Sequence, residues 1–231
     1  MTTRSRTSAV FVTSAADAAG LPRDGAPEVA LVGRSNVGKS SLLNALAGSR
    51  VARTSAAPGK TRLANIYRVT CGSVPPWYFV DLPGYGYARG GGAARQAFDA
   101  LAHAYFETPL GEARGALSSR RRAADGPRET VAGVLLVVDA RHPGLAADAE
   151  AGAWLAALGY HILVVVSKID KLSRSERARA LAAFDSMFTR PVLPVSAVSH
   201  EGLDALWKQI INQVSAGGSR PAVRAPSSWP R

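Results

Sequence analysis

Gly33-Arg-Ser-Asn-Val-Gly-Lys-Ser40 is the stretch that decides the fold of this 231-residue chain. It fits the pattern G-x-x-x-x-G-K-[ST], which a random chain of this length would match only roughly once in a hundred. Before it, 28–32 is a short apolar run typical of a buried parallel strand. After it, 39–47 has helical apolar spacing and ends at Gly48, a common helix stop. Strand, glycine loop and helix in this order predict a phosphate-binding loop.

The chemistry of such a loop needs these residue types at this spacing. Backbone N–H groups of the loop point at a phosphate, and the positive end of the helix dipole lies behind them. Lys39 is placed to reach the β- and γ-phosphates, and the Ser40 hydroxyl is placed to hold Mg²⁺. The alternative is a loop that merely turns between two elements.

Composition indicates a globular protein with a real core. Hydrophobic residues make up 47% of the chain, and no apolar run reaches the ~18 residues that a membrane span needs. Residues 1–26 lack a continuous apolar segment, so we expect no signal peptide. Cys71 is the only cysteine, which excludes an internal disulfide and a cysteine metal cluster. We therefore expect a cytoplasmic protein.

The net charge of +11 is unevenly distributed. Between Val29 and Val80 there is no Asp or Glu, and a bound triphosphate needs only part of the positive charge there. We expect a positive field around this end of the domain, which suits a polyanionic partner, nucleic acid first. A basic, soluble surface without a specific target is the alternative. The basic residues of the stretch are Arg34, Lys39, Arg50, Arg53, Lys60, Arg62 and Arg68.

Alternating strand and helix patterns predict one α/β domain over 28–214, a three-layer fold of the P-loop NTPase type. We expect a mostly parallel sheet of about six strands, with helices on both faces. A hairpin near 62–80 makes one edge strand antiparallel. The predicted strands are 28–32, 62–71, 76–80, 131–138, 160–166 and 191–195, and the predicted helices are 39–47, 93–107, 145–158, 173–187 and 201–214.

Three segments fall outside this alternation. Residues 1–27 are predicted to be a flexible arm that can add an edge element to the sheet. Residues 108–130 contain glycines, prolines and an arginine run, which predict a solvated, basic and partly disordered insertion. Residues 215–231 are rich in proline and arginine and contain no acid, which predicts a disordered basic tail.

Two further motifs complete a guanine nucleotide site. Asp81-Leu82-Pro83-Gly84 matches D-x-x-G, in which the Asp holds Mg²⁺ through water and the Gly N–H contacts the γ-phosphate. Ser167-Lys168-Ile169-Asp170 matches [NTS]-K-x-D, and the loop Val195-Ser196-Ala197 offers a backbone N–H to guanine O6. A carboxylate at Asp170 can accept two hydrogen bonds from guanine, whereas adenine has no matching pair of donors. GTP is therefore favoured over ATP, with the stem of Lys168 covering one face of the base.

These motifs give the chain a close likeness to a known family. It resembles the EngB (also called YsxC) family of bacterial ribosome-assembly GTPases, in the TrmE-Era-EngA-EngB-Septin-like class with a Ras-like G domain. The likeness covers about residues 9–107 and 131–214. The narrow markers are Asp81-Leu-Pro-Gly-Tyr-Gly-Tyr-Ala88 and Asp139-Ala-Arg-His-Pro143; Gly33 to Ser41, Pro58-Gly-Lys-Thr61 and Ser167 to Ser173 add to them.

The resemblance implies roles for individual residues. Thr61 is the switch threonine, which binds Mg²⁺ directly and senses the γ-phosphate; Ser40 is the second direct ligand of Mg²⁺. Asn36 stands where related GTPases help to hold K⁺, so Lys39, Thr61 and Asn36 are the candidate catalytic residues. The full set expected to bind GTP is Gly33, Arg34, Ser35, Asn36, Val37, Gly38, Lys39, Ser40, Ser41, Gly59, Lys60, Thr61, Asp81, Leu82, Pro83, Gly84, Ser167, Lys168, Ile169, Asp170, Val195, Ser196 and Ala197.

The resemblance also implies a function. It implies a role in assembly of the large ribosomal subunit, with ribosomal RNA and proteins as partners, and a need for the protein in cell division and septation. Tyr85 follows Gly84 where many GTPases have a water-orienting Gln, so we expect slow hydrolysis, stimulated by K⁺ or by the ribosome. We expect a monomer. A switch acting on another RNA or protein target, a P-loop ATPase or kinase, and a non-enzymatic adaptor are the alternatives.

Overall fold

Strands and helices alternate along the chain and build one mixed sheet with helices around it. The computed structural model describes residues 7–52, 63–85, 91–107, 128–188 and 190–216. The strands are β1 (Thr7–Ala15), β2 (Glu28–Gly33), β3 (Ala64–Cys71), β4 (Val74–Asp81), β5 (Val131–Asp139), β6 (Ile162–Ser167) and β7 (Leu193–Pro194). The helices are α1 (Lys39–Ala47), α2 (Gly91–Glu107), α3 (Ala146–Ala157), α4 (Arg174–Phe188) and α5 (Leu203–Ser215). The predicted α/β class is therefore confirmed.

The sheet has seven strands in the order β1-β3-β4-β2-β5-β6-β7. The neighbours from β4 to β7 pair in parallel, while β3 is antiparallel to both β4 and β1. The predicted antiparallel strand is thus present, but it does not lie at the edge. Strand β1 pairs with the side of β3 that faces away from β4, because an unpaired strand edge offers N–H and C=O groups to any further strand.

The three layers follow from the apolar character of the central strands. Every residue of β2 and β5 is buried, because helices cover both faces of the sheet. On one face, Phe98 of α2, Trp154 of α3 and Phe184 of α4 belong to a single core cluster. On the other face, Leu42 of α1 packs in a second cluster with Trp207 of α5. Because the strands from β4 to β7 run parallel, their carboxyl ends lie at one edge of the sheet. At this edge, β2 lies between β4 and β5.

Strand β1 is the edge element that residues 1–27 were expected to be able to add to the sheet. Ala9 and Ala15 are buried, whereas Val10, Phe11 and Val12 are 62%, 49% and 50% exposed. A bulge between Phe11 and Thr13 interrupts the alternation of inward and outward side chains. Residues 7–15 therefore belong to the sheet, although their pattern of hydrophobic residues does not alternate as in a half-buried strand.

The last residues of the segment 108–130, predicted as a solvated insertion, include a buried arginine. Residues 108–127 lie outside the described part of the chain, but Arg128 is only 3% exposed. Its Nε and Nη2 lie 3.0 Å and 2.8 Å from Oε1 of Glu28, which is fully buried at the start of β2. Thr130 Oγ1 also donates to that carboxylate, at 2.7 Å. Arg128 is therefore packed inside the protein, where a buried arginine needs such a partner, while Glu129 beside it is exposed.

The remaining boundaries lie close to the predicted ones. Helix α1 begins and ends where the sequence predicts, and its C-cap Gly48 has a φ of 65°. Helix α4 has the predicted capping box: the Ser173 N–H donates to Glu176 Oε2 at 2.9 Å, and the Glu176 N–H donates to Ser173 Oγ at 3.4 Å. Helix α5 runs one residue into the predicted tail. The rest of that tail, 217–231, lies outside the described residues.

The pair of Arg128 and Glu28 gives a test of the fold. Arg128→Met leaves the Glu28 carboxylate buried without its cation, so we expect the free energy of unfolding to fall by about 3 kcal/mol. Urea denaturation measures this change, and Arg50→Met, at an exposed position, is the matched control. Adding Glu28→Gln to Arg128→Met should restore part of the loss. An Arg128→Met protein as stable as the control would show that the pair does not hold this end of the sheet.

Candidate functional site

The predicted site residues converge at the carboxyl edge of the sheet. Gly33, Asp81 and Ser167 are the last residues of β2, β4 and β6, and Ser196 follows the end of β7 closely. Sheets of this type bind ligands in the crevice beyond these strand ends. The predicted residues at 59–61 lie outside the described part of the chain, so their position relative to the others stays a prediction.

The loop between β2 and α1 needs glycine at two positions. A Cβ on Gly33 would lie 2.4 Å from the carbonyl oxygen of Val137 in the neighbouring strand β5. Gly38, the N-cap of α1, has a φ of 104°, a left-handed conformation that favours glycine. Asn36 also has a positive φ, 64°, which Asn tolerates better than most residues. The chain therefore turns sharply into α1 and presents the helix N-terminus, where anions are stabilised.

Lys39, the first residue of α1, is buried at the end of the sheet. Its Nζ donates to the Gly33 carbonyl oxygen at 3.0 Å. Burial lowers the pKa of Lys39, and the charge of Asp81 partly offsets this effect. A buried ammonium group is costly unless it meets an anion, so the position of Lys39 favours an anionic ligand in the loop.

Asp81 and Ser40 form an oxygen-rich pair beside Lys39. Burial raises the pKa of Asp81, while the charge of Lys39 and the Ser40 hydrogen bond oppose this shift. The Ser40 hydroxyl donates to Asp81 Oδ2 at 3.3 Å. The other oxygen, Oδ1, is buried and has no hydrogen-bond partner among the described residues. An orphaned carboxylate oxygen next to a hydroxyl fits Mg²⁺, which prefers oxygen ligands and retains several waters.

The loop after β4 packs against the phosphate loop. The Ser35 N–H donates to the Tyr85 carbonyl oxygen at 3.2 Å, and Ser35 Oγ donates to the Gly84 carbonyl oxygen at 3.4 Å. A Cβ on Gly84 would lie 2.5 Å from the Ser35 nitrogen, so only glycine fits there without a shift. Leu82 is buried and anchors the start of this loop. The D-x-x-G motif and the phosphate loop are therefore in direct contact.

The loops that follow β6 and β7 meet through Asp170 and Ser196. The Ser196 hydroxyl donates to Asp170 Oδ1 at 2.7 Å, and this bond lowers the pKa of Asp170. Ser196 is buried, and its Oγ accepts N–H groups from Val198 at 3.2 Å and Ser199 at 3.0 Å. The Ile169 N–H donates to the Val195 carbonyl oxygen. The Asp170 carboxylate is thus ionised and held in one orientation, which suits a fixed acceptor for a ligand.

Lys168 ties this region to the phosphate loop, and it is held by Asp139, a residue that the sequence analysis did not assign to the site. Its Nζ donates to the Asn36 carbonyl oxygen and lies 2.8 Å from Asp139 Oδ2. Arg141 binds the same carboxylate with Nε at 2.9 Å and Nη2 at 2.7 Å. Burial by itself would raise the pKa of Asp139, but the bonds from Arg141 and Lys168 outweigh it and lower that pKa. The position of Asp139 at the end of an apolar strand was the signal available in the sequence.

A second residue missed in the sequence is Asp148, in the first turn of α3. Its Oδ1 accepts from the Tyr85 hydroxyl at 2.8 Å and from Arg34 Nε at 3.2 Å. Burial raises the pKa of Asp148, and the hydrogen bond from Tyr85 and the charge of Arg34 oppose the shift. Nothing in the pattern around Asp148 distinguishes it from an ordinary acidic residue at a helix start, so only the structure places it at the site.

Two other kinds of site receive no support. Across the described ranges, no group of three or more His, Cys, Asp and Glu side chains is arranged to hold a metal ion. In the same part of the chain, no helix is both long and apolar enough to cross a membrane. The arrangement at the carboxyl edge instead combines a phosphate loop, a candidate Mg²⁺ position and a fixed carboxylate acceptor. Of the remaining predicted site residues, Val37, Pro83 and Ala197 lie in the described loops, and Ser41 lies in the first turn of α1.

Solved structures of Era and of an EngB protein share this fold. The crystal structure of a single-residue variant of Aquifex aeolicus Era bound to GDP·AlF₄⁻ superposes with a TM-score of 0.61 at 22% identity, covering 86% of this chain and 62% of that one. The crystal structure of a probable GTP-binding protein engB gives a TM-score of 0.58 at 22% identity, covering 82% of this chain and 99% of that one. These likenesses establish the fold.

Sequence comparison establishes the family. Residues 28–168 match the family described as 50S ribosome-binding GTPase. The probable GTP-binding protein EngB of Chlorobaculum parvum is 39% identical over 207 residues, covering 88% of this chain and 96% of that protein. The probable GTP-binding protein EngB of Clostridioides difficile is 34% identical over 210 residues, covering 89% of this chain and 92% of that protein. The chain therefore belongs to the EngB family of GTP-binding proteins, as its resemblance in the motifs indicated.

Proposed function

We propose that the chain is a nucleotide switch that binds GTP and GDP with Mg²⁺, hydrolyses GTP slowly and acts in assembly of the large ribosomal subunit. The observation that carries the guanine assignment is the Asp170 carboxylate, held by the Ser196 hydroxyl at 2.7 Å. Such an acceptor pairs with guanine N1–H and the 2-amino group, and it would leave adenine unmatched. The alternative of a P-loop ATPase or kinase is disfavoured for this reason.

At the phosphate end, the chain supplies position and charge more than covalent chemistry. Lys39 binds the β- and γ-phosphates and exchanges its bond to the Gly33 carbonyl for one to phosphate oxygen. Ser40 and Thr61 would hold Mg²⁺ directly, and Asp81 would hold it through water. Mg²⁺ at this position would neutralise charge on the β- and γ-phosphates. The Gly84 N–H contacts the γ-phosphate, so the loop after β4 reports whether that phosphate is present.

Hydrolysis is slow because Tyr85 follows Gly84, where many GTPases have a Gln that orients the attacking water. Tyr85 is 5% exposed, and its hydroxyl donates to Asp148. Its hydroxyl is therefore not available to a water at the γ-phosphate. Asn36 is exposed at the phosphate loop, where its side chain is accessible to K⁺. A K⁺ ion there would supply the charge that an arginine supplies in other GTPases.

The partner is the large ribosomal subunit or its precursor. The matched family is described as ribosome-binding, and the acid-free stretch from Val29 to Val80 gives the nucleotide end a positive field. Arg50 and Arg68 of that stretch are exposed. The protein acts as a monomer in the cytoplasm, and its loss impairs cell division and septation. A switch acting on another RNA or protein target is the alternative.

Sedimentation with purified ribosomal subunits tests the partner. We expect the chain to pellet with large subunits when it holds a non-hydrolysable GTP analogue, and to pellet much less with GDP, because the triphosphate orders the switch loops. Lys39→Ala, which weakens phosphate binding, should lose the analogue-dependent fraction, and small subunits serve as the control. Failure to pellet with large subunits in any nucleotide state would contradict the assembly role.

Cation exchange tests the role of Asn36. Replacing K⁺ by Na⁺ should lower GTP turnover by about tenfold, which corresponds to ~1.4 kcal/mol of barrier. Asn36→Gly keeps a residue that accepts the positive φ but removes the amide, so its turnover should be low and indifferent to the cation. Equal turnover of the original chain in the two salts would exclude a K⁺ site.

The pH dependence of stability tests the bond between Asp139 and Lys168. The pKa of Asp139 is lowered in the folded state, so Asp139 stabilises the fold above about pH 4, the usual carboxyl range. This stabilisation is lost as the pH falls below that range. Asp139→Asn should therefore lower the free energy of unfolding by roughly 2 kcal/mol at pH 7. Urea denaturation should show the gap closing below about pH 4, while the exposed-site control Asp204→Asn shows little gap. A gap that does not depend on pH would contradict this role.

A further inference from the structure

The first turn of α3 carries a buried carboxylate that the proposed reaction does not use. Asp148 is fully buried, although its backbone N–H is already satisfied by the Leu145 carbonyl at 3.0 Å and the side chain caps no helix. Burying a carboxylate is expensive unless donors surround it. Its position therefore needs a reason beyond the stability of α3.

The donors to Asp148 come from two loops of the nucleotide site. Arg34, the second residue of the phosphate loop, donates from Nε at 3.2 Å, and Tyr85, the residue after D-x-x-G, donates from its hydroxyl at 2.8 Å. Both donors reach the same oxygen, Oδ1. No donor among the described residues reaches Oδ2, which is buried. Asp148 thus joins α3 to both loops through a single atom.

The two loops also touch each other at the same point. Arg34 and Tyr85 form a parallel β-bridge, and the Ser35 N–H donates to the Tyr85 carbonyl oxygen at 3.2 Å. Gly84 lies so close to Ser35 that a Cβ on Gly84 would be 2.5 Å from the Ser35 nitrogen. Because Tyr85 is held at its hydroxyl and at its backbone, the peptide of Gly84 before it has little freedom to move.

We propose that Asp148 is a positioning residue of the nucleotide site, which holds Tyr85 against the phosphate loop and thereby sets the Gly84 N–H at the γ-phosphate. This inference rests on the proposed function, in which Gly84 senses that phosphate. GDP has no γ-phosphate, so the latch formed by Asp148, Tyr85 and Arg34 distinguishes GTP from GDP. A residue that merely stabilised α3 would affect the two nucleotides alike.

Tyr85→Phe and Asp148→Asn test this role through the ratio of two affinities. Tyr85→Phe removes one hydroxyl and Asp148→Asn removes the charge without changing the shape, so both should fold. We expect each to weaken binding of guanosine 5′-(β,γ-imido)triphosphate by about tenfold relative to GDP, as titration calorimetry measures. In the double variant the two effects should not add, because both weaken the same contact between Tyr85 and Asp148.

Tyr160→Phe is the matched control. It also removes a buried hydroxyl, which donates to the Phe106 carbonyl oxygen at 2.6 Å near the opposite edge of the sheet. We expect it to lower thermal stability without changing the ratio of the two affinities. If folded Tyr85→Phe and Asp148→Asn keep the original ratio, the latch does not position Gly84. If the unaltered chain binds neither nucleotide, the proposed function itself fails, which is a separate outcome.

Discussion

A buried ammonium group at the end of the sheet is the constraint on which the site depends. Lys39 lies inside the protein, bonded to the Gly33 carbonyl and near the Asp81 carboxylate. Burial lowers the pKa of Lys39 and raises the pKa of Asp81, because it disfavours the charged form of each group. In the proposed function, a polyphosphate with Mg²⁺ would supply an anion to Lys39 and a cation to Asp81. Because Asp81 ends β4 and Lys39 follows the neighbouring strand β2 in a rigid sheet, the protein cannot relieve this cost by moving them apart.

From this point the site extends in two directions across the sheet. On the side of Asp170, Asp139 links Arg141 and Lys168, and Lys168 returns to the phosphate loop through the Asn36 carbonyl. On the side of α3, Asp148 links Arg34 and Tyr85. On each side, a buried carboxylate that is not itself a predicted ligand contact holds predicted site residues or their neighbours. The phosphate loop therefore lies between two ion-pair networks, one beside the loop after β6 and one beside the loop after β4.

The sequence predicted those parts of the structure that depend on local pattern. The glycines at Gly33 and Gly38 and the apolar helix after them place β2 and α1 correctly, because the backbone there admits few alternatives. The Ser173 capping box likewise appears as expected. Strand β1 was harder to predict from the sequence, since its exposed Val10 and Phe11 break the alternation that marks a half-buried strand.

Contacts between residues distant in the chain could not be read from the sequence. Arg128 is 100 residues from Glu28, and Asp148 is 114 residues from Arg34. Each looks like an ordinary surface charge until the fold brings its partner close. The burial of Arg128 and the contact of Asp148 with Tyr85 were missed for this reason. The motifs gave the predicted ligand-contacting residues, whereas the residues that hold them in place emerged only from the three-dimensional structure.

The most direct measurement is a calorimetric titration of the chain and of Asp170→Asn with GDP, ADP and xanthosine diphosphate. Xanthine carries a carbonyl where guanine carries its 2-amino group, so it suits an amide donor at this position rather than a carboxylate. The unaltered chain should bind GDP roughly a thousandfold or more tighter than ADP. Asp170→Asn should lose affinity for GDP and gain affinity for xanthosine diphosphate. Equal binding of ADP and GDP to the unaltered chain would contradict a guanine nucleotide switch.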